Sequence, residues 1–359
     1  MKKLLLKLTL FIIPILIYIG VGIYIDAYNV FHVDHIRLTY VTPNQNFIKT
    51  KYILENKDKF NAFVFGSSRA ANLPPDGLPK TTDDGTPLNW YNMTYAMGGI
   101  EENYMTVKTL TDTGVHMDEI LILIDEISMW KGASDSLDNL IFTTYQTYEK
   151  NPEAFYYSYI KQKPLLKLLP EIHSIHVSER TGDREYIQRE ELFYSYGVDR
   201  LDTELNITEG KEMPPAEHSL EYNDECQSVH YLAELKNLCD EQGIELIVLT
   251  SPILESTYKE GVEHGYLSFL HDAAQVTDFY CFSGLNKYTC DPNFYFDASH
   301  FRPYVGYEME RVIFGSEEDR NKAQEAAGDD QAGVIRFGTK VTHENVDEVI
   351  ICLEEEVKD

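Results

Sequence analysis

The chain has 359 residues, of which 43% are hydrophobic and 12% aromatic, so it can bury one large core or two small ones. Its 31 basic residues against 59 acidic residues give a formal net charge of -28. Because a surface of this charge repels phosphate backbones, the composition argues against a nucleic-acid-binding protein.

Residues 1–28 predict a membrane anchor. Lys2, Lys3 and Lys7 precede an uncharged run over 8–25, which is about long enough to cross a bilayer core. The lysines place the N-terminus in the cytoplasm and the rest of the chain outside, as a single-pass protein of the cell membrane. A cleaved signal peptide is the alternative, but the run is long for one and no A-x-A-like cleavage site follows it.

After a juxtamembrane segment, residues 29–58, short apolar runs alternate with helical patterns. The apolar runs predict buried strands at 62–65, 120–124, 244–249 and 276–282. The helical patterns lie at 101–113 and 220–242, and each is followed by a glycine. This alternation predicts an α/β domain with a parallel sheet, which we place over residues 59–315.

Three other stretches complete the predicted domain organisation. Residues 131–217 are rich in tyrosine and charge and predict a mostly helical insertion, which either forms a lid or packs over one end of the sheet. Residues 316–333 are acidic and rich in alanine and glycine, which suggests a linker. Apolar residues over 346–357 lie on one face of a helix that we expect to dock on the domain.

The cysteines and histidines give little support to disulfides or metals. The five cysteines are an odd number; Cys281 and Cys290 bracket a short loop and could pair in an oxidising compartment, with buried free thiols as the alternative. His173 and His176 have an H-x-x-H spacing without a third ligand, so a surface pair is favoured over a metal site. No glycine-rich nucleotide motif occurs, and we expect no cofactor.

A candidate nucleophile follows the first predicted strand directly, in the sequence Gly66-Ser67-Ser68-Arg69. Ser68 would stand at the carboxyl edge of a parallel sheet, where such folds bind their ligands. At a strand-to-helix turn its hydroxyl can be exposed and approached by backbone N–H groups. Arg69 next to it could bind an anionic group of a substrate or cap the turn by hydrogen bonding.

A candidate base and its partner acid lie near the end of the predicted domain. The three-residue spacing of Asp297 and His300 lets the carboxylate reach one ring nitrogen of the histidine. The other nitrogen is then free to take a proton from a serine hydroxyl, which is what a serine nucleophile requires. A capped turn before the next helix would also explain the spacing.

Two segments between these residues could complete the site. Residues 92–99 contain Gly98 and Gly99 at a turn that enters a helix, where a backbone N–H can face an oxyanion. Asp125 ends a predicted buried strand at the same edge of the sheet.

The serine, the glycine turn, the polar strand end and the D-x-x-H motif follow one another in the order of the four blocks of the SGNH (GDSL-like) hydrolases. The chain resembles this superfamily over residues 62–315. It is similar in particular to anchored members that modify bacterial cell surfaces, among them the D-alanine-transfer protein of teichoic acid synthesis and proteins of alginate acetylation. The resemblance implies a three-layer α/β/α fold, with Ser68 as nucleophile, His300 as base and Asp297 as the acid that orients it.

The resemblance also implies an oxyanion hole formed by Ser68, Gly98 and the third-block position, Asp125. It implies an acylated cell-envelope glycopolymer as substrate and a membrane-bound O-acyltransferase as a partner. Hydrolysis and acyl transfer share one acyl-enzyme and are not separated by the sequence. The alternative is a non-catalytic accessory protein of the same fold that binds the glycopolymer or the acyltransferase.

Three positions depart from the family pattern. Ser67 stands where the GDSL pattern has aspartate, a change also found in the anchored subgroup. Gly98 lies one residue later than usual after Asn92, which leaves Gly99 as the alternative donor. Asp125 replaces an asparagine, and an ionised carboxylate cannot donate a hydrogen bond to an oxyanion. Asp125 is therefore protonated, serves another role or is misaligned, or the site suits a cationic acyl group such as D-alanyl.

Overall fold

A computed structural model describes residues 2–32, 43–133, 137, 139–169, 192–198, 205–328 and 335–358. The chain divides into two compact units: unit 1 comprises Met1–Tyr52 and Ser134–Ser195, and unit 2 comprises Ile53–Ala133 and Tyr196–Asp359. Most of the juxtamembrane segment, residues 29–52, therefore falls in unit 1 together with residues 134–195 of the insertion. The predicted histidine pair, His173 and His176, lies outside the described residues.

The α-helices of the described residues are α1 (Lys2–Ile25), α2 (Gln45–Glu55), α3 (Ile100–Asp112), α4 (Glu126–Trp130), α5 (Tyr145–Lys150), α6 (Pro152–Ile160), α7 (Ser228–Gln242), α8 (Glu255–Glu263), α9 (Tyr266–Ala274), α10 (Lys287–Cys290), α11 (Pro303–Phe314), α12 (Glu317–Ala326) and α13 (Val346–Lys358). Short 3₁₀ helices cover Ser68–Asn72, Leu166–Leu168 and Pro292–Phe294. The strands are β1 (Ala62–Gly66), β2 (Trp90–Asn92), β3 (Glu119–Ile124), β4 (Glu245–Thr250), β5 (Phe279–Cys281) and β6 (Thr339–Val341).

Helix α1 in unit 1 is long and apolar enough, by length and composition, to cross a membrane. Its 24 residues give a length of about 36 Å, compared with about 30 Å for a hydrocarbon core. The described side chains between Leu6 and Tyr18 are exposed, whereas Ile25 in the last turn is buried against Leu168.

Unit 1 has its own aromatic core. Phe47 of α2 packs against Phe155 of α6, with ring centroids 4.7 Å apart, and against tyrosines of α5 and α6. The buried side-chain amide of Asn44 donates to the carbonyl of Thr143 at 2.8 Å and to the hydroxyl of Tyr159 at 2.7 Å. The chain after α1 and the described start of the insertion therefore form one folded body.

The six strands of unit 2 form one sheet in the order β2-β1-β3-β4-β5-β6. The first five strands run parallel and β6 is antiparallel to β5. Every residue of β1 and β3 is buried, so helices and loops cover both faces of the sheet there. The α/β class with a mostly parallel sheet is confirmed. The sequence missed β2 and β6 because three residues are too few to show a period.

Helix boundaries differ from the predicted ones in two places. The pattern over 220–242 becomes a helix only at α7, because the residues before it make other backbone bonds: Tyr222 N–H donates to the distant carbonyl of His264, and Cys226 N–H closes a turn on the carbonyl of Asn223. The suggested linker contains α12, which Ser316 caps by accepting from the backbone N–H of Asp319. Ala323 of α12 is buried in the core of unit 2. The alanines of this stretch therefore belong to a packed helix and not to a linker.

All five cysteines lie in the described residues and all are free thiols. Cys281 is buried on β5 and Cys290 is exposed at the end of α10, so the pairing considered from the sequence is not formed. The alternative of buried free thiols holds for Cys239 and Cys281, whereas the other three thiols are free but not buried.

The strand order places the site. The chain moves from β1 to β2 on one side and then to β3 on the other, so the connections leave in opposite directions at the β1–β3 pair. In doubly wound sheets the crevice outside the carboxyl ends of such a strand pair is the usual ligand site. Ser68 follows β1 and Asp125 follows β3, which brings these two loops to that crevice.

One buried acid at the other end of β3 should affect stability. Burial raises the pKa of Glu119 to about 7, and the nearby carboxylates of Glu245 and Asp118 add to this effect. Since the folded-state pKa exceeds the unfolded value, the neutral acid stabilises the fold at low pH and this contribution is lost as pH rises through 7. The unfolding free energy of the wild type should therefore fall between pH 5 and 8. Glu119→Gln, which cannot ionise at this position, should reduce that fall by about 1–2 kcal/mol after allowance for solvent screening.

Urea denaturation of the full chain in detergent, repeated across this pH range, measures the effect. Glu344→Gln is the matched control, since Glu344 is exposed, and it should keep the wild-type pH profile. Equal profiles for the Glu119 variant and the wild type would contradict the prediction.

Candidate active site

The backbone at the end of β1 presents Ser68. Gly66 has a φ of +137°, and a Cβ at this position would lie 2.7 Å from the carbonyl oxygen of Leu123 on β3, so only glycine fits. The chain then turns at Ser67, whose hydroxyl accepts from the backbone N–H of Arg69 at 3.3 Å. Ser68 is the first residue of the 3₁₀ helix that follows and is half-buried.

Ser68, His300 and Asp297 lie within hydrogen-bonding distance of one another in series. Nε2 of His300 is 2.8 Å from Oγ of Ser68. Nδ1 of the same ring is 2.9 Å and 3.0 Å from the two carboxylate oxygens of Asp297. With Nδ1 protonated toward the carboxylate, Nε2 is left as an acceptor for the serine proton, which is the arrangement of a serine nucleophile with its base and orienting acid.

A tight turn fixes Asp297. One carboxylate oxygen accepts from the backbone N–H groups of Ser299 at 2.9 Å and His300 at 2.8 Å. Partial burial opposes ionisation, but these two N–H groups and the imidazole of His300 outweigh it and hold the pKa of Asp297 below its ordinary value. The turn considered as an alternative explanation of the D-x-x-H spacing is therefore present together with the contact to Ser68.

The predicted oxyanion donors are arranged differently from the expectation. A Cβ on Gly98 would lie 2.6 Å from the carbonyl oxygen of Gly66, so the glycine turn does touch the end of β1. The N–H of Gly98, however, donates to the carbonyl of Tyr95 at 3.2 Å, and the N–H of Gly99 to the side chain of Glu102 at 3.3 Å. The N–H of Ser68 opens a helix, where a backbone donor has no intrahelical acceptor, so it is the better-placed donor.

Asp125 does not act as the side-chain donor that its place in the sequence suggested. It is fully buried, and its carboxylate accepts from the hydroxyl of Ser67 at 2.6 Å and from the backbone N–H of Ser128 at 2.9 Å. One carboxylate oxygen also lies 3.2 Å from the guanidinium of Arg69. Of the alternatives left open for this residue, these contacts fit the one in which it serves another role: it caps α4 and holds the Ser67 turn.

Arg69 connects the loops that carry the nucleophile and the base. Its side chain is fully buried and forms a two-pronged ion pair with Glu126, the residue after Asp125. The guanidinium also donates to the backbone carbonyl of Ser299 at 2.9 Å and to the hydroxyl of Ser299 at 2.8 Å. Because it has no exposed surface, Arg69 acts as a support of the site and not as the substrate-binding cation considered from the sequence.

The cluster around Arg69 contains one positive group and three acids, Glu126, Asp125 and Glu217. Burial alone would lower the pKa of Arg69, but Glu126, Asp125 and Glu217 together raise it above its ordinary value. Burial and repulsion by Asp125 also hold the pKa of Glu126 above its ordinary value, although Arg69 lowers it. Glu217 is partly exposed and accepts from the hydroxyl of Ser299 at 2.8 Å, so it supports the Asp297–His300 turn from the outer side.

Sequence reasoning missed Ser299, Glu126 and Glu217. Ser299 stands inside the D-x-x-H motif and Glu126 directly follows a residue that was singled out, so both were adjacent to recognised signals. Their significance depends on meeting Arg69, which is 230 and 57 residues away from them along the chain. Glu217 lies in the predicted insertion and carried no signal of its own.

The described residues contain no group of three or more histidine, cysteine, aspartate or glutamate side chains arranged to hold a metal ion. Comparison of the sequence with protein-family models and with curated proteins finds no match. What the fold and the site define is an α/β protein with a serine, a histidine and an aspartate in hydrogen-bonded series at the switch point of a mostly parallel sheet.

Removing Arg69 should destabilise unit 2 strongly. Arg69→Met leaves Glu126 and Asp125 buried without their counter-charge, which costs about 3–5 kcal/mol in unfolding free energy. Glu217→Gln is the matched control, because Glu217 is partly exposed and its contact with the guanidinium is long, at 3.5 Å, and a cost below about 1 kcal/mol is expected. Urea denaturation monitored by tryptophan fluorescence measures both, and equal costs would refute the supporting role of Arg69.

Proposed function

We propose that this protein is a membrane-anchored serine esterase or O-acyltransferase of the SGNH (GDSL-like) type that acts outside the cytoplasm on acyl groups of cell-envelope glycopolymers. The observation that carries the proposal is the series of contacts from Oγ of Ser68 to Nε2 of His300 and from Nδ1 of His300 to Asp297. Such a series raises the nucleophilicity of a serine hydroxyl, and it lies at the carboxyl edge of the sheet, where folds of this class bind their ligands.

In the proposed reaction Oγ of Ser68 attacks the carbonyl carbon of an ester while Nε2 of His300 takes the hydroxyl proton. Asp297 stabilises the imidazolium that forms. Collapse of the tetrahedral intermediate breaks the bond to the leaving alcohol, which receives the proton from His300. Water or a polymer hydroxyl, deprotonated by the same nitrogen, then attacks the acyl-serine. Water gives a deacylase, and a polymer hydroxyl gives an acyltransferase.

Backbone N–H groups would stabilise the oxyanion in this reaction. The N–H of Ser68 is suitably placed at the start of a helix, and the Gly98 turn lies next to Gly66. Asp125 offers no donor, because its oxygens accept from Ser67, Ser128 and Arg69. A rearrangement of the Gly98 turn that frees its N–H would complete the hole.

The proposed setting follows from α1 and from the family resemblance. A helix that can cross a membrane, with lysines in its first two turns, would hold the site on the outer side, where glycopolymers and membrane-bound O-acyltransferases meet. A cationic acyl group such as D-alanyl was one reason considered for an acidic residue at position 125. That reason now lacks support, since Asp125 is buried; Asp297 and Glu217 are the exposed acids of the site.

A non-catalytic accessory protein is the second candidate. It is favoured by the N–H of Gly98, which is already bonded to Tyr95, and by the carboxylate of Asp125, which only accepts hydrogen bonds. Such a protein would use the same crevice to bind the glycopolymer or a membrane-bound acyltransferase without forming an acyl-enzyme.

Labelling with a fluorophosphonate probe tests the proposal. The wild-type chain should be labelled, Ser68→Ala should not be, and His300→Ala should react about 10²–10⁴-fold more slowly because it lacks the general base. The measurement is the rate of covalent labelling of the purified full chain, followed by gel fluorescence and by mass spectrometry of the modified peptide.

Two matched variants serve as controls. His271→Ala removes a half-buried histidine that also contacts a carboxylate, Asp272 at 3.3 Å, and Ser316→Ala removes an exposed serine that caps a helix. Both should label at the wild-type rate. Absence of labelling in a folded wild-type chain would reject the activated serine and favour the accessory protein.

A further inference from the structure

A basic and apolar segment, residues 161–169, lies beside the end of α1. Its sequence is Lys-Gln-Lys-Pro-Leu-Leu-Lys-Leu-Leu, with three lysines and no acidic residue in a chain that has 59 acidic residues. Leu166 is 60% exposed and Leu169 is 39% exposed. A solvent-exposed pair of leucines flanked by lysines has the composition of a surface that lies on a membrane.

The contacts of the 161–169 segment fix its level along α1. The hydroxyl of Tyr18 donates to the backbone carbonyl of Gln162 at 2.9 Å, and Leu165 and Leu168 pack with Val21 and Ile25 in the last turns of α1. Tyr18 is seven residues before Ile25, which corresponds to about 10 Å along the helix axis. If α1 crosses the bilayer, the segment lies at the boundary between headgroups and acyl chains, where interfacial segments bury their apolar side chains.

The backbone of the segment is suited to that depth. The N–H groups of Lys161 and Gln162 donate to carbonyls of α6, and those of Leu166, Leu168 and Leu169 are bonded within the segment. Pro164 has no N–H to satisfy. Since unsatisfied backbone groups are costly next to lipid, the paired N–H groups of Leu166 and Leu169 favour placing these two leucines against acyl chains.

The charges fit the headgroups. The exposed side chains of Lys161, Lys163 and Lys167 can extend toward water while their methylene groups stay against apolar surface. A cleft of about 430 Å³ next to α1 is lined by Lys161, Lys163, Ile25 and Tyr28, among others. Clustered lysines at a membrane surface attract anionic lipids.

We infer that the 161–169 segment is a second membrane-contacting element, which inserts Leu166 and Leu169 beside α1 and binds anionic lipid headgroups through its lysines. The inference rests on the proposed membrane anchor but not on the proposed serine chemistry. Two membrane contacts, α1 and the 161–169 segment, would hold unit 1 at the membrane in one orientation. A single helix with a flexible connection would not fix that orientation.

Site-specific fluorescence on the full chain, reconstituted into vesicles of phosphatidylcholine with an anionic phospholipid, tests the inference. The accessible thiols are first replaced by Cys226→Ser, Cys290→Ser and Cys352→Ser. Leu166→Cys is then labelled with an environment-sensitive dye, and quenching by lipids with a nitroxide on the acyl chain is measured. We expect strong quenching, together with a shift of the emission to shorter wavelength.

Two label positions make the outcome interpretable. Ile17→Cys, exposed on α1, should be quenched if the anchor is in the bilayer, and Ile351→Cys, 56% exposed on α13, should not be quenched. Quenching at Ile17 with a Leu166 signal equal to that at Ile351 would overturn the inference and leave the anchor intact. A lack of quenching at Ile17 would overturn both the membrane anchor and the inference about the 161–169 segment. Fluorophosphonate labelling tests the reactive serine separately.

Lipid charge provides the last comparison. In the variant with Lys161→Gln, Lys163→Gln and Lys167→Gln, quenching at Leu166 should fall in anionic vesicles to its value in phosphatidylcholine alone. Quenching that responds neither to lipid charge nor to the lysines would overturn binding of anionic headgroups. If the dye at position 166 shifts its emission to shorter wavelength only in native membranes, and not in pure lipid vesicles, a membrane protein covers Leu166. That outcome would reject lipid contact.

Discussion

The candidate site depends on one buried guanidinium. Arg69 follows the nucleophile directly, pairs with Glu126 at the end of β3 and donates twice to Ser299 in the turn that carries the base. A planar guanidinium with five fixed donors can hold three separate chain segments at once, and a lysine could not. The distance between Ser68 and His300 therefore depends on a residue that is itself fully buried.

This arrangement explains the aspartate at position 125. In a site that needs a side-chain donor an aspartate would be a defect, but here its oxygens bind the Ser67 hydroxyl, the start of α4 and Arg69. The acid that departs from the family pattern thus helps to hold the nucleophile turn. Since Asp125 supplies no side-chain donor, backbone N–H groups would have to stabilise an oxyanion if the serine is reactive.

The two units contain different functional features of the chain. Unit 2 holds the sheet and the Ser68–His300–Asp297 series, whereas unit 1 combines a helix that can cross a membrane with an aromatic core and the 161–169 segment.

Much of the fold could be predicted because buried parallel strands and helices have strong local signals. The runs at β1, β3 and β4 are continuous and apolar, and α13 has a clear apolar face. The three-residue strands β2 and β6 lack such a signal, and α12 was mistaken for a linker because its small buried alanines resemble linker composition. Neither the grouping of unit 1 nor the free state of Cys281 and Cys290 could be derived from spacing, since both depend on packing between distant segments.

For the site, the sequence by itself determined the local chemistry: a serine after a strand, and a carboxylate three residues before a histidine, which a single turn brings together. Only the tertiary structure decided that Ser68 and His300, 232 residues apart, come within 2.8 Å of each other. It also decided that Arg69 faces inward and that Asp125 accepts hydrogen bonds instead of donating them. The reason is physical: short-range geometry follows from residue type and spacing, whereas the partner of a buried charge is chosen by which distant segments the packed core brings against it.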